Sequence, residues 1–158
     1  MSGDLYEVMN EMEAVVEALD ATDYKRNARD TNTVSRGFQH AYRVPDVAEM
    51  GDGARHLEFI IQPLRTRVRD RGRTGDTTRL THEVEIAFQY ELSPGDEVAA
   101  MRLSYRAAMD INRAVCNEGK YPADVEIHPD IAYEFSPSGE DKFVAVRIVF
   151  TIETTESL

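Results

Sequence analysis

The residues from Leu80 to Leu92 alternate strictly between two kinds of side chain, and this pattern constrains the fold more than any other. One set of positions is apolar, with His82 as the polar exception: Leu80, Val84, Ile86, Phe88, Tyr90 and Leu92. The other set is mainly polar or charged: Thr81, Glu83, Glu85, Ala87, Gln89 and Glu91. A period of two over this length predicts a β-strand with one buried and one wet face.

The residues before this strand predict the other arm of a long β-hairpin, which spans residues 55–92. Thr74-Gly75-Asp76 supplies a three-residue turn in which the glycine permits a positive φ. Pro63 predicts an edge strand or a bulge in the first arm. Arginine stands at every second position of that arm: Arg65, Arg67, Arg69, Arg71 and Arg73.

The turn also predicts a pairing register for the two arms. If Arg73 faces Thr77 across the turn, Arg67 faces Glu83 and Arg65 faces Glu85. Glu83 and Glu85 are then expected to be ion-paired rather than catalytic. The same register puts further apolar residues of the first arm on the core face with Val84, Ile86 and Phe88, namely Ile60, Leu64 and Val68.

Two amphipathic helices flank the hairpin. Asp4 and Glu7 form a capping box before an apolar stripe that runs from Leu5 to Leu19, about four turns of helix. Ser93 as N-cap and Pro94 in the first helical position open a second helix of about 25 residues that ends at Gly119. Its predicted buried face consists of Val98, Met101, Tyr105, Ala108, Met109, Asn112, Val115 and Cys116.

The remaining periodic segments complete an α+β fold. We expect a short strand over residues 38–44, a third long strand over 125–135 that Pro129 disturbs, and a central fourth strand over 144–152. The chain is therefore predicted to be a single domain, residues 1–158, with a mostly antiparallel sheet of four or slightly more strands and both helices on one face. Residues 21–36 are predicted to be a long loop, and residues 154–158 a tail.

Charge and cysteine content exclude several classes of protein. The net charge is −11, which argues against a general nucleic-acid binder. The charge is uneven, because residues 1–54 carry −6, residues 55–80 carry +4 and residues 81–158 carry −9. With Cys116 alone, no internal disulfide can form, and no signal peptide or membrane span is visible. We expect synthesis in the cytoplasm and no membrane partner.

The sequence points to a contact surface rather than to a chemical site. Four arginines near the hairpin tip have no acid opposite them in the predicted register, and we expect them to contact phosphates or an acidic partner: Arg69, Arg71, Arg73 and Arg79. The four histidines lack metal-ligand spacing, and Cys116 lies on an apolar stripe where a thiol is inert. No catalytic, cofactor-binding or metal-binding residues are predicted, and no enzyme activity.

The order of these elements resembles that of the tail terminator, or tail-completion, proteins of long-tailed bacteriophages. The resemblance rests on the N-terminal helix, the hairpin over residues 55–92, the helix opened by Ser93-Pro94 and the closing strand Phe143-Val-Ala-Val-Arg-Ile-Val-Phe-Thr-Ile-Glu, and it covers residues 4–155. It implies a non-enzymatic virion protein of the tail and neck that needs no cofactor. A homo-oligomeric, hexameric ring would cap the tail tube protein, meet the head–tail connector protein and let DNA pass without sequence-specific binding.

Other classes of function stay open on the sequence alone. One is another neck or connector protein of the same kind of virion. A second is a small-molecule-binding α+β module with a pocket between helices and sheet. A third, an enzyme with a carboxylate site, has the least support. Ring formation by the pure protein would separate the tail-terminator and neck or connector roles from the ligand-binding module and the enzyme.

Overall fold

A five-stranded sheet with two helices on one face makes up the fold. The computed structural model describes residues 3–24, 37–40, 56–71, 77–92, 95, 97–138 and 143–157. The elements, in chain order, are α1 (Leu5–Glu17), β1 (Gln39–His40), β2 (Glu58–Arg71), β3 (Thr78–Glu91), α2 (Glu97–Val115), β4 (Glu126–Ser138) and β5 (Phe143–Glu156). The sheet order is β1-β2-β3-β5-β4, in which β1 runs parallel to β2 and the other pairs are antiparallel. The predicted α+β class is confirmed.

The core lies between the helices and alternate residues of the sheet. Val84, Ile86 and Phe88 of β3 are fully buried together with Val8 and Ile111 from the two helices. Burial of a side chain of this size stabilises the fold by about 1.5–3 kcal/mol. Since both helices contribute to the one cluster, they cover the same face of the sheet, as predicted. We call this the core face and the opposite one the outer face.

The start of α1 follows the predicted cap. The Glu7 N–H donates to Asp4 Oδ1 at 2.9 Å, which satisfies one of the backbone donors that a helix leaves unpaired at its first turn. The buried residues of α1 are Val8, Met12, Val15 and Val16, which belong to the predicted stripe.

The hairpin forms, but its predicted register is wrong by one to three residues. Two bulges in β2, at Pro63/Arg65 and at Val68/Asp70, each shift the pairing by one position. Arg65 therefore pairs with Glu83, and Gln62 pairs with Glu85. Phe59 takes the core position that was predicted for Ile60, while Leu64 and Val68 are exposed. The expected turn at residues 74–76 lies outside the described residues.

Strand β5 is central, as predicted because the face opposite its apolar one is itself half apolar, and it is longer than predicted. It pairs with β3 on one side and β4 on the other. Thr154 is buried opposite Leu80, and Glu156 pairs with Thr78, so the predicted tail at 154–158 is wrong up to residue 156. Polar residues concealed this extension, because here they pair with polar neighbours on the sheet. Strand β4 is irregular between Pro129 and Tyr133, as Pro129 predicted.

Helix α2 begins and ends inside its predicted limits, and its predicted buried face is confirmed only in part, at Ala108 and Val115. Gly95 has a φ of +87°, so no helix runs through it, and α2 starts at Glu97 and ends at Val115. Ser93 and Pro94 lie outside the described residues. The buried face is built mainly from small side chains that allow close approach to the sheet: Ala100, Ser104, Ala107, Ala108, Ile111 and Val115. The larger residues Val98, Met101 and Tyr105, which were predicted to be buried, are exposed.

The first residues of the predicted long loop belong to the core. Residues Ala21–Tyr24 form a 3₁₀ turn, and the buried ring of Tyr24 meets the buried Phe38 at a centroid distance of 5.7 Å. The Tyr24 hydroxyl donates to Asp110 of α2. Residues 25–36 lie outside the described part of the chain, as do residues 41–44 of the expected short strand. Neither of the described helices is long and apolar enough to cross a membrane.

Candidate interaction surface

Two of the four predicted contact arginines converge on one carboxylate. Arg69 of β2 donates to Glu153 Oε1, and Arg79 Nη2 of β3 lies 3.9 Å from Glu153 Oε2. Both guanidinium groups stay more than half exposed, while Glu153 is largely buried. The side chain of Arg71 and all of Arg73 lie outside the described residues. Arg69 and Arg79 therefore have a partner within the chain. The prediction that no acid lies opposite them in the hairpin is wrong for Arg79, which pairs with Asp70 in the observed register.

The partner was missed because it lies outside the hairpin. Glu153 belongs to β5, on the far side of β3, where it pairs with Thr81. The register predicted from the hairpin covers only β2 and β3, so it does not show an acid on β5. The sequence did contain a sign of this contact. Glu153 is the last outward-facing residue of a strand that was predicted to be central, and a central strand has neighbours on both sides.

Glu153 also faces β4, where two further ionisable groups approach it. Glu126 pairs directly with Glu153, and His128 Nε2 lies 3.5 Å from Glu126 Oε2 and 4.0 Å from Glu153 Oε2. Burial raises the pKa of Glu153, but hydrogen bonds with Glu126 and Arg69 and the charges of Arg69 and Arg79 outweigh it and lower the pKa overall. The carboxylate is therefore held in its charged form.

Glu126, His128 and Glu153 offer ligand atoms within 4.8 Å of one another, a grouping that their spacing along the chain did not predict. Carboxylate and imidazole groups are ligands for divalent metals such as zinc. Here, however, Arg69 and Arg79 already balance the charge of Glu153. A bound cation would lie close to both guanidinium groups and be repelled by them. The cluster is accounted for as an ion-pair network, and the absence of a metal site stays a prediction.

The middle of the outer face carries separate ion pairs. Arg65 Nη2 lies 2.7 Å from Glu83 Oε1 in an exposed pair. Glu85 is fully buried and accepts hydrogen bonds from Gln62 and from Arg147 of β5. The hydrogen bond to Glu85 raises the pKa of Arg147. The prediction that Glu83 and Glu85 are ion-paired is confirmed. Both predicted partners, Arg67 for Glu83 and Arg65 for Glu85, were wrong, and the position of Glu85 is buried rather than wet.

His82, the polar exception in β3, joins three strands on the core face. Its Nδ1 lies 2.8 Å from Thr66 Oγ1 of β2, and its Nε2 lies 2.8 Å from Thr154 Oγ1 and 3.2 Å from Glu156 Oε2 of β5. Burial lowers the pKa of His82, and the nearby Glu156 only partly offsets this effect. The imidazole is therefore neutral at pH 7 and satisfied by hydroxyl groups, which explains how a polar residue occupies this position.

Two exposed apolar strips lie outside the ion pairs. The helix stripe consists of Val98, Met101 and Tyr105, exposed to 67%, 40% and 51% on one side of α2. The ribbon strip consists of Leu64, Thr66 and Val68 of β2, of which Leu64 and Val68 are exposed to 45% and 57%. Sequence periodicity assigned the apolar residues of both strips to the core. Periodicity shows which residues share a face, but it does not show whether that face packs on the protein's own core or on a partner.

The thiol of Cys116 is protected, as predicted. The residue is half-buried, and its Sγ donates to Asn112 Oδ1 at 3.4 Å. Burial raises the pKa of Cys116 to about 11, so the nucleophilic thiolate is scarce at neutral pH.

No protein-family model matches the sequence, and no curated protein matches it. Function is therefore argued from the arrangement of the side chains. In the described residues, that arrangement consists of balanced ion pairs on the outer face and exposed apolar strips elsewhere, which are features of a binding surface.

Proposed function

We propose that this chain is a non-enzymatic bacteriophage virion protein, a tail terminator that forms a ring, caps the tail tube and joins it to the head connector. The observation that carries the proposal is the order and packing of the elements. Helix α1, the hairpin of β2 and β3 with 14 residues in each strand, helix α2 and the closing pair of β4 and β5 follow one another, with both helices on the core face. This order is that of the family which the sequence resembles.

The surface of the chain supports a role in assembly. Exposed apolar side chains lie on α2 and on β2, two different parts of the molecule. A ring of identical subunits needs two different surfaces that match each other. The acidic remainder of the chain and the basic segment 55–80 add electrostatic complementarity between copies.

The first experiment measures whether the pure protein assembles. Light scattering over a concentration series gives the solution mass, and negative-stain images show the shape of the largest species. We expect a ring with a central hole and a mass that corresponds to six subunits. A monomer that binds a small molecule with a large rise in melting temperature would instead favour the ligand-binding alternative.

The second experiment tests the hairpin tip in tail assembly. The double variant Arg71→Glu/Arg73→Glu is expected to fold normally and to join heads to tails poorly, because it reverses the charge of the predicted contact. The matched control, Arg113→Glu/Lys120→Glu, makes the same change of charge at exposed residues of α2 and the turn after it. Normal tail joining by the tip variant, scored by electron microscopy of lysates, would refute the contact role of the tip.

A further inference from the structure

The end of the sheet that leads to the hairpin tip lies outside the apolar core. The apolar cluster that joins the helices to the sheet reaches as far as Val84 in β3 and Ile152 in β5. We call the described residues beyond it the tip end: residues 64–71, 78–82 and 153–156. Its core-face positions are occupied mainly by polar side chains: Thr66, Val68, Thr78, Leu80, His82, Thr154 and Glu156. Leu80 is the one buried apolar residue in this set, so hydrogen bonds contribute much of what holds the tip end together.

Four side chains form one hydrogen-bond chain across the three strands of the tip end. Thr66 Oγ1 of β2 lies 2.8 Å from His82 Nδ1 of β3, and His82 Nε2 lies 2.8 Å from Thr154 Oγ1 of β5. Thr154 in turn donates to Glu156 Oε2 at 2.6 Å. Thr66 is exposed, whereas His82 and Thr154 are buried. The chain therefore links an exposed side chain on β2 to the last residues of β5 through the interior.

The bonding partners fix where the hydrogens of this chain lie. Thr154 has one hydroxyl hydrogen and gives it to Glu156, so its oxygen accepts from His82. Nε2 of His82 therefore carries the imidazole hydrogen, and Nδ1 accepts the hydroxyl hydrogen of Thr66. All three hydrogen bonds run in one direction along the chain. This arrangement requires a neutral imidazole, because both ring nitrogens of an imidazolium are donors.

A second proton on His82 breaks this arrangement. Nδ1 then carries a hydrogen and no longer accepts, so the Thr66 hydroxyl must turn its own hydrogen toward solvent. The positive charge lies in the interior, 3.2 Å from Glu156 Oε2. Burial opposes this charge more strongly than Glu156 favours it, so the pKa of His82 is lowered from 6.5 while the tip end is closed. His82 takes up a proton more readily where it meets water, and protonation therefore favours an open tip end.

Among the described residues, Glu156 is the charged group that acts on His82. The other charged side chains described on the four long strands near the tip end lie on the outer face: Arg65, Arg67 and Arg69 of β2, Arg79 and Glu83 of β3, Glu153 of β5, and Glu126 and His128 of β4. No charged group described on α1 or α2 shifts the pKa of His82. A change in the opening of the tip end between pH 7 and pH 5 is therefore attributable to His82.

We propose that His82 is a pH-sensitive latch: in its neutral form it holds the tip end closed through Thr66 and Thr154, and on protonation it releases the tip end while the apolar core stays folded. The released residues lead directly to the hairpin tip, which the sequence predicts to contact a partner. The inference goes beyond the proposed function and does not depend on it, because it concerns the chain before any assembly.

Amide hydrogen exchange of the pure protein, followed by NMR at pH 7, 6 and 5, tests the latch. Residues 78–82 are suited to it, because β3 has a paired strand on each side. After correction for the intrinsic pH dependence of exchange, we expect their protection to fall about tenfold from pH 7 to pH 5, a factor that follows when the open form takes up its proton about one pH unit above the closed form. At pH 5 they should exchange at least about tenfold faster than residues 84–90. Equal protection of the two segments overturns the proposal, because the tip end then opens only when the whole chain unfolds.

The variant His82→Gln removes the titrating group from the chain. Protection of residues 78–82 is then expected to stay constant from pH 7 to pH 5, whatever its level at pH 7. A loss of protection as steep as that of the wild type overturns the proposal. Thr155→Val, which changes a neighbouring threonine on the outer face, is the control and should keep the wild-type profile.

The ring nitrogen shifts of His82 give a test that needs no variant. At pH 7 they are expected to show the hydrogen on Nε2, and a hydrogen on Nδ1 overturns the proposal. Glu156→Gln should then lower the pKa of His82 further, because it removes the charge that favours the imidazolium. Glu83→Gln, the same change on the outer face, is the control and should leave that pKa as it is. A pKa of His82 that does not respond to Glu156→Gln also overturns the proposal.

Discussion

At the scale of single residues, side chains from separate strands gather around buried or half-buried charges. Glu153 holds Arg69 and Arg79 from both arms of the hairpin and approaches His128 from β4. Glu85 is held in the same way by Gln62 and Arg147. A charge that is taken out of water must be compensated by partners, so each of these carboxylates fixes the relative position of the strands around it.

The buried carboxylate is expected to matter more for stability than its exposed neighbour. Glu85→Ala removes the partner of a half-buried guanidinium and of Gln62, and we expect a loss of about 3 kcal/mol in the free energy of unfolding. Glu83→Ala, two residues away in an exposed pair, is the control and should cost at most about 1 kcal/mol. Urea denaturation at pH 7 measures both. Equal losses would show that burial of Glu85 contributes nothing.

His82 is expected to make stability depend on pH near neutrality. Its pKa is lowered from 6.5 in the folded protein, so the unfolded chain takes up a proton at a higher pH than the folded one. Its contribution is therefore complete above about pH 6.5 and is lost as the pH falls toward the folded pKa. We expect His82→Gln to flatten the fall in unfolding free energy between pH 7 and pH 5.

The control for this pH profile is the wild-type protein, measured by urea denaturation at each pH from 7 to 5. Profiles of wild type and His82→Gln that run parallel from pH 7 to pH 5 would contradict the assignment.

At the scale of elements, backbone geometry and side-chain size decide where helix α2 begins and which face it buries. Gly95, at a φ of +87°, stops the chain from entering the helix two residues earlier. Small residues such as Ala100, Ala107 and Ala108 then bring the helix close to the sheet and turn the larger ones outward. The exposed stripe of α2 is therefore a consequence of how the helix packs.

Replacement of Gly95 tests this view of the helix start. A Cβ at Gly95 meets no atom within 4 Å, so the cost of Gly95→Ala comes from the positive φ alone and is expected to be about 1 kcal/mol. Gly119→Ala is the matched control, because Gly119 has no positive φ and its added Cβ would lie 3.6 Å from Asn117 Oδ1, an ordinary contact. Thermal unfolding followed by circular dichroism compares the two variants. A loss as large for Gly119→Ala as for Gly95→Ala would exclude backbone strain as the cause.

At the scale of the whole molecule, one apolar cluster joins the helices to the sheet. It takes Met12 from α1, Ile111 from α2, Phe59 and Phe88 from the hairpin and Phe150 from β5. No large part of the described chain can unfold without opening this cluster. The outer face carries the ion pairs, and α2 and β2 carry the exposed strips on which the proposed assembly depends.

A shared core predicts cooperative unfolding of the whole chain, as expected for the single domain inferred from the sequence. Calorimetry and circular dichroism should give one coincident transition, with equal calorimetric and van't Hoff enthalpies. The measurement belongs at low protein concentration, where self-association is weak. Two separated transitions would show that residues 1–158 are not one cooperative unit.

The sequence by itself determined the α+β class, the long hairpin, the cap at Asp4, the central position of β5 and the side of the sheet that the helices cover. These follow from local rules, because the period of two, the capping pattern and the burial of half of each strand involve residues near one another in the chain.

Only the tertiary structure decided the hairpin register, the partner of Arg69 and Arg79, the core position of Tyr24 and the buried face of α2. The hairpin pairing differs from the predicted register by one residue at Arg71 and Thr78, and each of two bulges adds a further shift of one residue. Glu153 reaches the arginines from a third strand, distant in sequence. Apolar periodicity marks a side chain as suited to burial without specifying the surface that buries it. The helix stripe and the ribbon strip were therefore predicted as core and found exposed.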